Sequence, residues 1–336
     1  QKMEIPSSGL EDSVGWFIWM GVETKSWATF AFLFGAGFAI LMRRIEARGL
    51  KVIPIFLRRM LALAIIGVMV QLLTGFRILF EYAMWGVPLL FIRNLSTRTL
   101  LVIAVLASVA MPIAAHVSPP DRQTSQAHWR ALNQAEENAT FAEAVRARAS
   151  FGWWWYTRPR TLIPDSNIVL FILGLLAVRL GIFERVRERR RMISGMMMFG
   201  LVSWTLSWFV FPKLGELFEW TGIISDQWLA FTYIGAVVLL LEYWPVWKSR
   251  LEFFGIAGRM ALTNYIIQST VLSILACGYG LVLKIRPYYV IPASIALFGA
   301  CVIVSKLWLS RFRYGPMERM WRRATYGAVP LTYSRM

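Results

Sequence analysis

The stretch "RRIEARGLKVIPIFLRRMLALAIIGVMVQLLTG", residues 43–75, decides the fold class of this 336-residue chain. A basic connection with six Lys and Arg residues leads into an apolar stretch that ends near residue 74. The hydrocarbon core of a bilayer is roughly 30 Å thick, and a helix of about 20 apolar residues crosses it. The stretch therefore predicts a transmembrane helix with a charged connection at one end.

The same alternation of apolar stretches and basic connections continues through the rest of the chain. Hydrophobic side chains make up 57% of the residues and charged side chains only 16%, whereas globular proteins carry about 25% charge. We predict an all-α polytopic transmembrane helix bundle that forms one domain over residues 1–336. Nine spans are expected, near residues 27–42, 56–74, 78–91, 100–115, 167–183, 192–211, 228–243, 253–279 and 289–309.

The distribution of Lys and Arg predicts the orientation of these spans. Cytoplasmic connections of membrane proteins collect basic residues, and the connections at 43–59 and 179–191 and the tail at about 311–336 hold six each. We therefore expect a multi-pass protein of the bacterial inner membrane with a cytoplasmic C-terminus. An odd number of spans then puts the N-terminus outside, and one further helix before Gln1 would bring the count to ten.

The net charge of +17 follows from the same asymmetry, so no nucleic-acid partner is expected. Anionic lipids of the cytoplasmic leaflet are the expected partners of the basic connections. No metal site is expected either. Cys277 and Cys301 lie in apolar stretches, and His116 and His128 share one polar loop without the spacing of metal ligands.

The longest polar connection, about residues 116–164, is expected on the extracytoplasmic side. It contains a polar segment typical of an amphipathic surface helix and then "FGWWWYTRPR", residues 151–160. Indole rings favour the headgroup zone of a bilayer, and guanidinium groups reach lipid phosphates from there. The expected interface anchors are Trp153, Trp154, Trp155 and Arg158. A stacking platform for a carbohydrate or a cation is the alternative.

Ionisable groups within spans are costly and are candidates for function. Arg77 and Glu81 stand four residues apart at the outer start of the third span. Side chains at this spacing lie on the same face of a helix, so the two charges can neutralise each other or line a cavity that opens outward.

The second polar stretch is "GRMALTNYIIQS", residues 258–269. On one continuous helix Arg259 and Thr263 would share a side, with Asn264 and Gln268 nearly opposite and Tyr265 between them. A helix with polar groups on every side cannot face lipid, so we expect it inside the bundle. Its polar groups serve either as hydrogen bonds between helices or as contacts to a ligand. The glycines of "FLFGAGFAI", Gly35 and Gly37, predict close packing of helix backbones.

Three stretches of the chain resemble the YeiB-like family of bacterial multi-spanning membrane proteins, whose function is unassigned. They are "WATFAFLFGAGFAILMRR" (27–44), "GRMALTNYIIQS" (258–269) and "FRYGPMERMWRRATYG" (312–327). The family is distantly similar to ten-helix membrane acyltransferases. One position departs from the family, because Arg77 stands where its members often have an acidic residue.

The resemblance implies transfer of an acyl group from a cytoplasmic acyl-thioester donor, such as acyl-CoA, to an extracytoplasmic or lipid acceptor. His116 or Glu81 would be the catalytic base. The substrate-binding residues would be Arg77, Arg259, Asn264, Tyr265 and Gln268. Two other functions stay open, a transporter of a small metabolite or lipid and a non-catalytic subunit with a membrane-protein partner or a second copy of itself.

Overall fold

The computed structural model describes residues 9–117, 122–138, 140–158, 167–210, 219–276 and 287–327. These residues form helices and no strand, as the predicted all-α class requires. The first eight helices are α1 (Leu10–Phe17), α2 (Thr24–Glu46), α3 (Val52–Thr74), α4 (Ile78–Gly86), α5 (Pro88–Ile92), α6 (Thr97–Val117), α7 (Arg122–Asn138) and α8 (Phe141–Tyr156). The others are α9 (Asn167–Arg179), α10 (Arg190–Thr205), α11 (Glu219–Tyr243), α12 (Val246–Arg250), α13 (Glu252–Arg259), α14 (Ala261–Ala276), α15 (Pro287–Arg311) and α16 (Pro316–Tyr326). A π-helical turn joins α1 to α2, and another extends α10.

Every predicted span range contains a helix, but the count of nine spans is not confirmed. Four stretches of the described residues are long and apolar enough to cross a bilayer: Ser13–Glu46, Val52–Thr74, Arg190–Val210 and Tyr289–Arg311. Five shorter apolar helices cover the other ranges: Ile78–Ile92, Thr97–Ala110, Asn167–Arg179, Gln227–Tyr243 and Ala261–Leu275. Apolar helices of both kinds are what a membrane protein requires.

Two of the predicted spans are interrupted. The third breaks at Val87, before Pro88, whose nitrogen has no hydrogen to donate. The eighth breaks at Met260, where φ is −117° and ψ is 31°. The prediction of one continuous helix was therefore wrong here, and Arg259, which ends α13, does not share a helical face with Thr263 of α14.

The centre of the bundle is the contact between α2 and α9. A Cβ atom on Gly35 would overlap the backbone carbonyl of Phe171, and one on Gly174 would overlap the carbonyl of Phe32. The two glycines thus bring two helix backbones into direct contact, which confirms the packing role predicted for Gly35. Gly37 has open space around its Cβ position and plays no such part.

The polar connection predicted at about 116–164 contains two helices rather than the single surface helix that the sequence suggested. α7 and α8 pack against each other as a hairpin. Thr140 caps α8 with a capping box: its side chain accepts the backbone amide hydrogen of Glu143, and the Glu143 carboxylate accepts the backbone amide hydrogen of Thr140 at 2.8 Å. The Thr140 hydroxyl also donates to this carboxylate. These hydrogen bonds hold the pKa of the exposed Glu143 below its ordinary value. α8 lies against α3, so the hairpin covers one end of the bundle.

Candidate functional site

The candidate site begins at the N-terminus of α4. Arg77 caps this helix, its carbonyl accepting the amide hydrogens of Phe80 and Glu81 at 3.1 and 3.3 Å. Arg77 is the N-cap residue of α4 and Glu81 lies in its first turn, so both belong to the same end of this helix. α4 is pressed against α3 at Gly67, where a Cβ atom would overlap the amide nitrogen of Phe80.

Two tyrosines from distant parts of the chain complete the site. Tyr156, at the end of α8, packs its ring 4.6 Å from that of Phe80. Burial raises the pKa of Tyr156, the Glu81 charge raises it further, and Arg77 opposes this rise in part. The Glu81 charge also acts on the phenol of Tyr265 in α14. Arg77, Glu81, Tyr156 and Tyr265 are called the Glu81 centre below.

Aromatic rings of the hairpin surround the Arg77 guanidinium. Its carbon lies 4.2 Å from the ring centre of Trp155, 5.2 Å from that of Phe151 and 5.6 Å from that of Trp129. The negative faces of aromatic rings attract a cation at these distances. The rings stabilise the charge without accepting conventional hydrogen bonds from it.

Nη1 of Arg77 and the hydroxyl of Tyr265 are buried and have no hydrogen-bond partner among the described residues. Buried polar atoms of native proteins are nearly always hydrogen-bonded, so such atoms mark places where water, an ion or a ligand belongs. Both atoms can donate a hydrogen bond.

Arg148 holds α8 in the position that the Glu81 centre requires. Its side chain is 2% exposed and donates to the Glu136 carboxylate at 3.0 Å, to Ser273 of α14 at 3.1 Å and to the carbonyl of Leu73 at the end of α3. The last carbonyls of a helix lack partners within the helix, and Arg148 supplies one. The residue thus ties the hairpin to both α3 and α14.

The three consecutive tryptophans have three different environments. Trp153 is 76% exposed. Trp154 stacks on His128 with ring centres 3.9 Å apart. The guanidinium carbon of Arg158 lies 3.2 Å from the ring centre of the same indole. Trp155 faces Arg77. Exposure of Trp153 suits a lipid anchor, while the other two rings pack within the hairpin.

Other predicted site residues have hydrogen-bond partners outside the Glu81 centre or are exposed. The Asn264 amide donates to the Ala257 carbonyl at 3.1 Å and to Ser305 of α15 at 3.0 Å. Gln268 donates to the Cys301 thiol at 3.6 Å. Arg259 is exposed at the end of α13. His116 lies in the last turns of α6, and its side chain is outside the described part of the chain.

Sequence reasoning missed three important residues. Tyr156 was hidden by the tryptophans before it, and Arg148 stood in a polar segment whose charges all suggested solvent exposure. The third is Glu318 of α16, whose carboxylate accepts the backbone amide hydrogen of Thr263 in the first turn of α14 at 3.0 Å. Glu318 is an acidic residue in an otherwise basic tail, and this was the signal in the sequence that could have identified it. No cluster of three or more His, Cys, Asp and Glu suited to a metal occurs in the described residues.

Comparison with known proteins supports the family resemblance. Residues 177–328 match the family model described as "Protein of unknown function (DUF418)". The chain is 29% identical to "Uncharacterized protein YxaH" of Bacillus subtilis (strain 168) over 91% of this chain and 80% of that protein. It is 25% identical to an "Uncharacterized 39.9 kDa protein in amylase 3'region" of Bacillus acidopullulyticus, over 92% and 82%.

A third relative connects the chain to the family that the sequence motifs suggested. "Uncharacterized protein YeiB" of Escherichia coli (strain K12) is 34% identical over 30% of this chain and 26% of its own length. No solved structure matches the chain. The chain is therefore similar to YeiB-like proteins, and its residues 177–328 match a domain of unknown function.

Proposed function

We propose that this protein transfers an acyl group at the Glu81 centre. The donor is a cytoplasmic acyl thioester such as acyl-CoA, and the acceptor is a hydroxyl or amine of an extracytoplasmic molecule or a lipid. The observation that carries the proposal is a pair of buried donors without hydrogen-bond partners near one carboxylate. Arg77 Nη1 and the Tyr265 hydroxyl have no partner among the described residues, and Glu81 lies within electrostatic reach of this tyrosine.

The chemistry needs a base and an oxyanion site, and the Glu81 centre offers both. Glu81 takes the proton of the acceptor hydroxyl as its oxygen attacks the thioester carbonyl. Arg77 and Tyr265 donate hydrogen bonds to the oxyanion that forms. When the intermediate collapses, the C–S bond breaks and the thiolate leaves with the proton from Glu81. Tyr156 remains a protonated phenol, since burial and Glu81 raise its pKa.

The orientation proposed for the bundle is a cytoplasmic C-terminus in the bacterial inner membrane. Contacts between basic connections support it. Arg43, at the end of α2, bonds Glu184 at 3.2 Å, and Arg187 of the same connection bonds Glu242, at the end of α11, at 2.7 Å. These connections therefore meet at one end of the bundle, as a shared cytoplasmic side requires. The Glu81 centre and the hairpin would then lie toward the outer side, where the acceptor arrives, and the donor would reach the centre from the cytoplasmic end.

Turnover by the purified protein in lipid nanodiscs tests the proposal. The protein is incubated with polar lipid extract and with acetyl-CoA or a longer acyl-CoA as the donor. Chromatography then separates the released CoA from the remaining donor and measures the rate. We expect Glu81→Gln to lower the rate about 100-fold or more, as loss of a general base does. Glu252→Gln removes an exposed carboxylate of α13 and should leave the rate unchanged.

Two further variants separate the roles of the donors and the base. Tyr265→Phe removes one oxyanion donor and should lower kcat about 10-fold or more with little change in KM. His116→Gln tests the other predicted base. A loss of rate as large as that of Glu81→Gln would identify His116 of α6 as the base. Absence of thioester turnover in every donor series would contradict acyl transfer. A stoichiometric membrane partner after mild extraction, without turnover, would favour the non-catalytic subunit instead.

A further inference from the structure

We propose that a cleft at the opposite end of the bundle binds the phosphate group of an anionic ligand. The cleft encloses about 420 Å³, its open mouth included, between the C-terminal ends of α2 and α9 and the turn after α5. Three arginines line it, Arg43, Arg93 and Arg179, and we call it the arginine cleft. The inference does not depend on the activity of the Glu81 centre.

Contacts with the protein orient the three arginines, although the Arg43 side chain is 47% exposed. Arg179 donates to the carbonyl of Leu95 at 2.6 Å, and Arg43 donates to the carbonyl of Val178 at 2.8 Å. Arg93 is only 19% exposed. Each guanidinium has five N–H donors, so these bonds orient the groups and leave further donors for an anion.

The charges in the cleft do not balance. Glu46 is the single acidic side chain of its lining, 3.8 Å from Arg93, and Glu184 bonds Arg43 from outside. A bound anion would offset this excess of positive charge, because opposite charges a few ångströms apart attract most strongly in a partly desolvated site.

The shape and chemistry of the cleft favour a phosphate ester. Guanidinium groups recognise phosphate through paired hydrogen bonds, and the Asn94 amide in the lining adds another donor. The floor is apolar, with Phe38 of α2 and Leu175 of α9. Phosphate over an apolar floor is the arrangement of a phospholipid headgroup and its first methylene groups. A soluble phosphate ester would use the same arginines.

Binding of dioleoyl phosphatidylglycerol to the detergent-purified protein tests the proposal, measured by native mass spectrometry. Dioleoyl phosphatidylcholine, whose headgroup has no net charge, is the reference lipid. We expect Arg43→Gln and Arg93→Gln each to weaken phosphatidylglycerol binding about 10-fold, as loss of a charge-assisted hydrogen bond does. Arg44→Gln removes the same charge from the next residue, which does not line the cleft, and should change binding less than twofold.

A variant expected to bind the lipid more tightly distinguishes a specific effect on binding from a damaged fold. Glu46→Gln removes the acidic side chain of the lining and should tighten phosphatidylglycerol binding about threefold or more, since like-charge repulsion of the ligand disappears. A damaged fold would not tighten binding. Equal affinity in Arg43→Gln, Arg44→Gln and Glu46→Gln would overturn the proposal, as would equal binding of the two lipids.

Competition identifies the source of the phosphate. Glycerol 3-phosphate at millimolar concentration is added to the protein loaded with phosphatidylglycerol. Displacement that is lost in Arg93→Gln supports a soluble phosphate ester. Retention of the lipid, together with weaker lipid binding in Arg93→Gln, supports a lipid headgroup. Displacement that is equal in the wild type and in Arg93→Gln would contradict the arginine cleft as the binding site.

Discussion

The Glu318 carboxylate accepts the backbone amide hydrogen of Thr263 at 3.0 Å, so a residue of α16 caps the first turn of α14. The same carboxylate accepts the amide hydrogen of Leu262 at 2.7 Å and the hydroxyl hydrogen of Thr263. The first amides of a helix lack partners within the helix, and an anion there is stabilised by the helix dipole. The two C-terminal sequence stretches that resemble the YeiB-like family are therefore one structural unit.

Loss of this cap should destabilise the C-terminal part of the bundle. We expect Glu318→Ala to lower the free energy of unfolding by about 1–3 kcal/mol, because a charged acceptor of several hydrogen bonds is lost. Titration with a denaturing detergent, followed by tryptophan fluorescence, measures the change. Glu252→Ala removes an exposed carboxylate from the first turn of α13 and serves as the control. Equal losses in both variants would show that the cap contributes nothing specific.

The contact between α2 and α9 should tolerate no side chain at its closest point. Gly35→Ala places a methyl group against the Phe171 carbonyl and should cost about 2 kcal/mol or more, since the helices must separate. Gly37→Ala, two residues away, meets open space and should be neutral or slightly stabilising. Thermal unfolding of the two variants at one heating rate compares them. Similar midpoints would contradict the backbone contact.

Arg148 should be essential for docking of the α7–α8 hairpin. Arg148→Gln leaves the Leu73 carbonyl and the Glu136 carboxylate without their partner and should cost about 3 kcal/mol, as breaking a buried ion pair does. Arg146→Gln removes an exposed charge from the same helix and is the control. Limited proteolysis of the hairpin measures its docking.

A lysine should not replace Arg148. The ammonium group of Arg148→Lys is a compact charge and does not reproduce the planar geometry that reaches Glu136, Leu73 and Ser273 together. We therefore expect the hairpin of this variant to be cleaved nearly as fast as that of Arg148→Gln. Full protection by lysine would mean that charge alone fixes the hairpin.

Asn264 and Ser305 should be energetically coupled. Each donates to the other, at 3.0 and 3.2 Å, and the pair joins α14 to α15. A double-mutant cycle with Asn264→Ala and Ser305→Ala should give a coupling energy of about 1 kcal/mol in unfolding experiments. A cycle of Asn264→Ala with the exposed Ser310→Ala should give none. An Asn264 variant of unchanged stability but weakened substrate binding would instead support the residue as a substrate ligand.

Local patterns predicted the helices but not all of their ends. An apolar stretch of helical length is a property of neighbouring residues, so each of the nine predicted ranges contains a helix. The break at Met260 carried no Pro or Gly at that residue and was invisible in the apolar run. It changes the face on which Arg259 lies, which is why the predicted grouping of Arg259 with Thr263 was wrong.

The sequence predicted only part of the candidate site. Arg77 and Glu81 are four residues apart, so helical geometry alone puts them together. Their proximity to Tyr156 and Tyr265 depends on the packing of α4, α8 and α14 against α3 over long chain separations, and nothing in the local sequence encodes this. The Arg148 contacts that place α8 are likewise long-range, since they reach Leu73 and Ser273.

The sequence by itself determined that this is a helical, membrane-type chain with a resemblance to the YeiB-like family, because hydrophobicity, helix length and short motifs are local quantities. Tertiary structure alone decided which polar groups find partners. Asn264 and Glu318 are satisfied by neighbouring helices, while Arg77 Nη1 and the Tyr265 hydroxyl have no partner among the described residues. Burial and hydrogen bonding depend on what each helix packs against, and packing is a property of the whole chain.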